Sequence, residues 1–184
     1  MPGSQRPTEA ELAPFYAAYV ARVPAGDVVA LLDGQRGVLR DLAAAVPAEL
    51  EGHRYAPGKW SVREVFGHLI DAERVFGYRA FRIGRGDETP LEGFDENRYV
   101  DAAGCDGRPL RELAAELVAV RQANLWLFRG LGAAAWSRRG LANDSPVSVR
   151  ALAYILAGHV DHHLAVLESR YGISLPPAPA PQPA

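Results

Sequence analysis

The sequence predicts an all-α fold, a four-helix bundle with a short extra helix at its N-terminus. Apolar residues recur at helical spacing over four long segments, and glycine or proline residues separate these segments. No run of alternating apolar and polar residues competes with them. The chain has 184 residues, of which 48% are hydrophobic. It is therefore large enough to bury one hydrophobic core, and we predict a single domain over residues 8–175.

Capping residues and helix breakers define the order of the elements. Thr8 and Glu11 form a capping-box pattern, which predicts a short helix that ends near Val23. A second capping box, Ser61 with Glu64, begins the second long helix. The four long helices are predicted over residues 28–45, 62–83, 109–129 and 148–171.

The connection between the second and third long helices is the longest in the chain. It spans residues 84–108, is rich in glycine and acidic residues, and can carry the chain back along the length of a helix. The two helices that it joins can therefore be parallel, whereas the shorter connections suit antiparallel neighbours. Loop lengths thus allow an up-down-down-up bundle without requiring it.

Histidines lie within the apolar stripes of two long helices. His159 and His163 are four residues apart on the fourth helix, so they project from one face about 6 Å apart along its axis. His68 holds an equivalent position on the second helix. If these two helices are antiparallel with level ends, His68 lies at the depth of His163. The pattern therefore predicts one cluster of three histidines inside the bundle.

Three neutral imidazoles form a good ligand set for zinc or nickel and leave a coordination position open. We predict one divalent metal ion, zinc or nickel, bound by His68, His159 and His163. The alternative is that each histidine is a hydrogen-bonded core residue. No aspartate or glutamate lies on the histidine stripes, which argues against a di-iron carboxylate site.

Several other polar residues are candidates to support the ligands or to bind substrate. Two carboxylates flank the first histidine, two arginines could receive carboxylates of a ligand, and the others adjoin the site or belong to the long connection. Each also has a simpler interpretation as a surface charge, an ion pair or a neighbour of the ligands. The candidates are Glu64, Asp71, Arg79, Asp95, Arg121 and His162.

Composition limits the other classes of function. Twenty basic residues against 22 acidic ones give no electropositive field for nucleic acid. The sequence has no apolar stretch long enough for a membrane span or a secretion signal, so we predict a cytoplasmic protein. The single cysteine, Cys105, lies in a loop next to Asp106, whose charge raises a thiol pKa, and we do not predict it to be a nucleophile.

The last nine residues, PPAPAPQPA, contain five prolines. Proline donates no backbone hydrogen bond and favours extended polyproline II conformations. We predict a disordered tail over residues 176–184, with a docking motif for a proline-binding module as the alternative.

Two long segments resemble the DinB-like (DinB/YfiT) superfamily of metal-binding bundles. They are YAPGKWSVREVFGHLIDAERVFGYR at 55–79 and SVRALAYILAGHVDHHLAVLESRYG at 148–172. The similarity extends from about Leu12 to Gly172 and includes GFDENRYV at 93–100. The most specific part is the combination of Gly-Lys-Trp-Ser, the helix that contains His68, and Gly-His-x-x-His-His.

This resemblance implies an up-down-down-up four-helix bundle, often dimeric, with one divalent metal bound by three histidines. Those ligands correspond to His68, His159 and His163. The superfamily includes enzymes similar to bacillithiol S-transferases and mycothiol-dependent maleylpyruvate isomerases, in which a metal activates a low-molecular-weight thiol. It also includes members without a known reaction, some of them damage-inducible.

We therefore predict a metal-dependent transferase that joins a small thiol, such as bacillithiol, to an electrophilic small molecule. The resemblance makes a homodimer one possible assembly, and the apolar stripes do not decide between a dimer and a monomer. One alternative is a hydrolase that uses metal-bound water, although the histidine stripes provide no general base for it. Another is a non-enzymatic bundle, associated with stress or damage, in which the metal only links helices.

Overall fold

Four long helices form the body of the molecule, and the computed structural model describes residues 5–175. The predicted tail, residues 176–184, lies outside the described residues. The predicted four-helix bundle is confirmed, with the following bounds for the long helices: α2 (Val28–Ala45), α3 (Val62–Gly84), α5 (Leu110–Arg129) and α7 (Val149–Tyr171). Three shorter helices accompany them: α1 (Ala17–Arg22), α4 (Glu96–Ala103) and α6 (Ala133–Trp136).

Contacts between the long helices give the chain directions. Gly84, where α3 ends, lies close to Val149 at the start of α7 and to Leu131 just after α5. A Cβ atom at Gly84 would be within 4 Å of both side chains. Helices α3 and α7 are therefore antiparallel, and α3 and α5 are parallel. Asp33 near the start of α2 pairs with Arg129 at the end of α5, so these two are antiparallel. The order is up-down-down-up, with residues 85–109 connecting the two parallel helices.

The N-terminal segment differs in detail from the predicted short helix. The capping box of Thr8 and Glu11 is present, but it begins only a single 3-10 turn. Pro14 lacks an N–H group and favours an extended conformation at Ala13, which has ψ 143°. The chain therefore makes a second turn at Pro14–Tyr16 before it becomes α-helical in α1.

The long connection contains α4, which the sequence analysis treated as loop. Asp95 caps this helix by accepting hydrogen bonds from the backbone N–H groups of Asn97 and Arg98. Gly104 follows its last residue with a left-handed φ of 61°. The capping residue and the glycine are local signals for a helix. The segment between them is only eight residues long, which is too short for a clear helical pattern of apolar residues, and the helix was therefore not predicted.

A small β-hairpin lies before the last helix. Strands β1 (Arg139–Ala142) and β2 (Ser145–Ser148) pair antiparallel around Asn143 and Asp144, which both have positive φ. Such a two-residue turn matches the twist of the strands that it joins. The strands are too short for their alternation to stand out in the sequence.

Two apolar clusters fill the interior. One surrounds Phe76, Leu125 and Leu156, and the other surrounds Leu39 and Leu117. Between them, at the middle of the bundle, lies a layer of buried polar side chains. Among residues 5–175, no helix combines the length and the apolar character that crossing a membrane requires.

Candidate metal centre

Local capping sets the start of the two helices that contain the histidines. Ser61 caps α3 by accepting a hydrogen bond from the N–H of Glu64. Ser148 caps α7 by accepting one from Ala151, and its own hydroxyl donates to Glu11. Because the helix starts are fixed and the two helices are antiparallel, the first third of α3 lies beside the middle and second half of α7. His68 is thereby brought against the turn of α7 that contains His159 and His163.

Three histidine side chains converge at this crossing. The Nε2 atom of His159 lies 2.9 Å from that of His68 and 3.1 Å from that of His163. All three rings place a nitrogen within 4.8 Å of the others. Each side chain is buried, with between 5% and 8% of its surface exposed.

Burial keeps these imidazoles neutral. It lowers the pKa of His68 to about 4 and those of His159 and His163 well below the ordinary histidine value, and the neighbouring histidines add to the effect. A neutral imidazole carries one N–H group and one lone pair, so it can act as a metal ligand without first losing a proton.

The donor set fits a divalent ion. Zinc–nitrogen bonds of about 2.0–2.1 Å in a tetrahedral arrangement separate the nitrogen atoms by roughly 3.3 Å, close to the two Nε2 separations of 2.9 and 3.1 Å. The Nδ1 atoms of His68 and His163 are buried and have no hydrogen-bond partner in the described part of the chain. These two rings are therefore held by packing, since the Nδ1 contact that commonly orients a metal-bound histidine is not made by protein groups.

A cavity of about 260 Å³ opens beside the cluster, and six phenylalanine, tyrosine and tryptophan side chains contribute to its wall. The Trp60 ring lies 4.6 Å from that of His68, and the Tyr19 ring lies 5.3 Å from that of His159. Four polar residues besides the three histidines also line the cavity: Arg79, Glu96, Asn143 and His162.

Two of the other predicted site residues reach this cavity. Arg79 is buried and lines it, and its guanidinium carbon lies 5.6 Å from the centre of the Phe76 ring. His162 is half-buried at the cavity wall, with its ring 5.0 Å from that of His163. Both are therefore placed to contact a molecule bound beside the three histidines.

The other four candidates lie elsewhere and have structural partners. Glu64 belongs to the capping box of α3 and pairs with Arg54. Asp71 faces a groove beside Cys105, and Asp95 is the exposed cap of α4. Arg121 lies inside the bundle, where its Nε donates to Glu73 at 2.9 Å. For these four residues, the simpler interpretation as an ion pair, surface charge or loop residue matches their surroundings.

Cys105 is more enclosed than a loop residue. It begins a 3-10 turn, is buried, and packs so closely on Gly67 that a Cβ atom there would lie 2.3 Å from its sulfur. Its thiol pKa is raised, chiefly by burial and next by Asp71, with Asp106 a smaller cause. A raised thiol pKa was predicted from the charge of Asp106, but burial is its main cause.

Some residues of the cavity were missed as functional candidates. Phe76 had a signal in the sequence, because His68, Ala72 and Phe76 follow one another at steps of four along α3 and Arg79 follows three residues later. Tyr19 had none, because it comes from a short helix whose position against α7 depends on tertiary packing. The same holds for Asn143, which lies in the hairpin turn.

Comparison with known families identifies the superfamily of this chain. The profile of the DinB superfamily matches residues 31–167. A search of curated proteins found no significant match.

Comparison with solved structures found similar folds at low sequence identity. YfiT from Bacillus subtilis, described as a probable metal-dependent hydrolase with an unusual four-helix bundle topology, has a TM-score of 0.70 at 20% identity, covering 94% of this chain and 96% of that one. A mycothiol-dependent maleylpyruvate isomerase has a TM-score of 0.65 at 16% identity, covering 87% and 66%. The DinB-like protein YjoA from Bacillus subtilis has a TM-score of 0.56 at 18% identity, covering 82% and 96%. At these identities, the similarities establish the fold alone.

Proposed function

Because the chain belongs to the DinB superfamily, we propose that it is a metal-dependent transferase that joins a low-molecular-weight thiol to an electrophilic small molecule. The observation that carries the proposal is the convergence of three buried, neutral imidazoles beside an aromatic cavity. His68, His159 and His163 would hold one divalent ion, zinc or nickel. Such an ion supplies positive charge that lowers the pKa of a thiol and so raises its nucleophilic fraction at neutral pH.

The residues around the cluster have distinct roles in this proposal. The aromatic side chains of the wall, Trp60 and Phe76 among them, offer apolar surface and leave room for a small organic molecule. Burial raises the pKa of the Tyr19 phenol, so this side chain stays protonated and can donate a hydrogen bond to the electrophile. His162 offers a ring nitrogen at the cavity wall that can accept the proton of the incoming thiol.

A hydrolase is the second candidate function. One specific observation favours it: His162 lines the cavity, where its ring nitrogen would serve as the general base that the histidine stripes lack. The description of YfiT as a probable metal-dependent hydrolase also points in this direction. The two candidates differ in one measurable property, because a transferase needs an added thiol for turnover and a hydrolase does not.

Metal content and thiol dependence together test the proposal. We expect untagged protein to contain about one zinc or nickel ion per chain by mass spectrometry, and His159→Ala to contain almost none. The control is His53→Ala, which changes an exposed histidine outside the cluster and should retain the metal. Metal-loaded protein should consume a chlorinated dinitrobenzene only when a small thiol is present, and His159→Ala should not.

Two results would contradict the proposal. Folded wild-type protein that neither contains nor takes up a divalent ion would exclude both metal-dependent functions. Metal-loaded protein that hydrolyses ester or amide substrates without a thiol, and that shows no thiol-dependent turnover, would favour the hydrolase.

A further inference from the structure

Arg79 is a buried cation without an acidic partner. Its side chain is 3% exposed, yet among residues 5–175 it forms no ion pair. The polar contact that it makes is a hydrogen bond from Nη2 to the backbone oxygen of Glu92, at 2.7 Å. Arg121, which is equally buried, donates to the carboxylate of Glu73. The two buried arginines therefore differ in whether the protein neutralises their charge.

Arg79 lines the same cavity as the three histidines. The Phe76 ring neighbours both groups, with its centre 5.6 Å from the guanidinium carbon of Arg79 and 6.3 Å from the centre of the His159 ring. Glu96 is the acidic side chain along the cavity wall, but it is exposed and does not pair with Arg79. A ligand that reaches from the histidines past Phe76 would therefore meet an uncompensated positive charge.

A buried charge without a partner is costly, and a guanidinium is suited to one kind of partner. Its N–H groups form a planar fork that matches a carboxylate in two parallel hydrogen bonds. One Nη2 hydrogen bond to a backbone carbonyl leaves most of these donors for a ligand.

We propose that Arg79 binds a carboxylate of the molecule that occupies the cavity, so that the substrates of this protein include an organic acid. The inference rests on the proposed function in one respect, because that function places the reacting end of the bound molecule at the three histidines. The carboxylate belongs either to the thiol or to the electrophile, and the ligand pairs described below distinguish these two sources.

The test compares matched ligands that differ only in charge. Mercaptohexanoate and mercaptohexanol share a thiol and an alkyl chain, and only the first ends in a carboxylate. We expect zinc-loaded wild-type protein to bind mercaptohexanoate about 10- to 100-fold more tightly by calorimetry, the range for a charged hydrogen-bonded pair. In Arg79→Met this preference should fall below about threefold, while the affinity for mercaptohexanol stays unchanged.

Two further variants separate anion binding from a structural role. Arg82→Met removes an arginine of the same helix that pairs with Asp87 outside the cavity, and it should retain the preference. Arg79→Lys keeps the charge but not the fork, and it should retain part of the preference even if Arg79→Met folds poorly. If Arg79 only anchors the backbone at Glu92, Arg79→Met lowers the melting temperature and leaves the preference intact, which would overturn the inference.

A second pair of ligands, hexanoate and hexanol, tests the carboxylate site without a thiol. If the carboxylate belongs to the electrophile, hexanoate should bind to wild-type protein that already holds mercaptoethanol. Arg82→Met should retain this binding of hexanoate, and Arg79→Met should lose it. If neither thiol binds wild-type protein, the proposed function fails. The anion site can then be tested on metal-free protein. It would still be supported if hexanoate raised the melting temperatures of wild type and Arg82→Met but not that of Arg79→Met. The absence of any preference for hexanoate over hexanol would overturn it.

Discussion

Gly158 shows how a single residue shapes the site. It immediately precedes His159, and the backbone of α1 passes so close that a Cβ atom there would lie 1.9 Å from the carbonyl oxygen of Tyr19. The contact is with backbone, which cannot move aside as a flexible side chain would. A glycine is therefore required for α1 to bring the Tyr19 ring to the cavity.

We expect Gly158→Ala to lower the free energy of unfolding by about 2–3 kcal/mol, because the added methyl group forces α1 away from α7. Denaturant unfolding measures this change. The matched control is Gly34→Ala, in the middle of α2, where nothing lies within 4 Å of the added atom. That variant should gain up to about 1 kcal/mol from helix propensity. Equal effects of the two variants would show that the close approach does not constrain α1.

The partners of the two buried arginines could not be predicted from the sequence. From the sequence, Arg79 and Arg121 were equivalent candidates to receive a carboxylate. The structure pairs Arg121 with Glu73, which lies 48 residues away in the chain, and leaves Arg79 beside the cavity. Pairing at this distance depends on the relative position of two helices, and no local pattern encodes it. The three histidines were predictable because helical spacing alone places two of them together.

At the scale of elements, helix starts were predictable and the short elements were not. Ser61 precedes a long apolar stripe and has Glu64 three residues later, so its capping role was predicted from local sequence. Ser148 caps α7 in the same way, although it was predicted as the first residue of that helix. Pro14 interrupts the N-terminal helix because it favours an extended conformation at Ala13. The capping box of Thr8 and Glu11 favours a helix over the same segment, and the local sequence did not show which effect is stronger. The hairpin at Asn143 was missed because four-residue strands carry too little alternation.

Glu11 ties the N-terminal segment to the start of α7. Its buried carboxylate accepts hydrogen bonds from Ser148 and Arg150 as well as from Thr8. Burial alone would raise its pKa, but these hydrogen bonds outweigh that effect and lower it to about 2. This segment leads into α1, which supplies Tyr19 to the cavity, so the attachment bears on the site as well as on stability.

The lowered pKa of Glu11 predicts acid sensitivity. A carboxylate with a folded pKa near 2 and an ordinary unfolded value near 4.5 stabilises the protein fully above pH 4.5. That contribution, on the order of 3 kcal/mol, should be lost as the pH falls from 4.5 to 2. Melting temperatures of wild type and Glu11→Gln should therefore differ at pH 7 and converge toward pH 2. A constant difference across this range would contradict the assigned role of Glu11.

At the scale of the whole molecule, a polar layer divides the core into two apolar clusters. This layer contains the ion pair of Arg121 and Glu73, and the three histidines lie at the same level of the bundle. Hydrophobic burial holds the two ends together, whereas the middle depends on hydrogen bonds and on charge pairing. A ligand that links α3 to α7 at this level therefore joins helices where apolar packing contributes least.

Metal binding should accordingly stabilise the whole fold. A ligand that binds only the folded state at 100 times its dissociation constant adds about 2.7 kcal/mol, which corresponds to a rise of roughly 5–10 °C in the melting temperature of a domain of this size. We expect zinc to raise the melting temperature of metal-free wild type and His53→Ala by this amount, and a chelator to reverse it. His159→Ala should not respond, because two histidines on separate helices bind zinc weakly. A rise of equal size in His159→Ala would mean that zinc binds elsewhere and that the three histidines do not link α3 to α7.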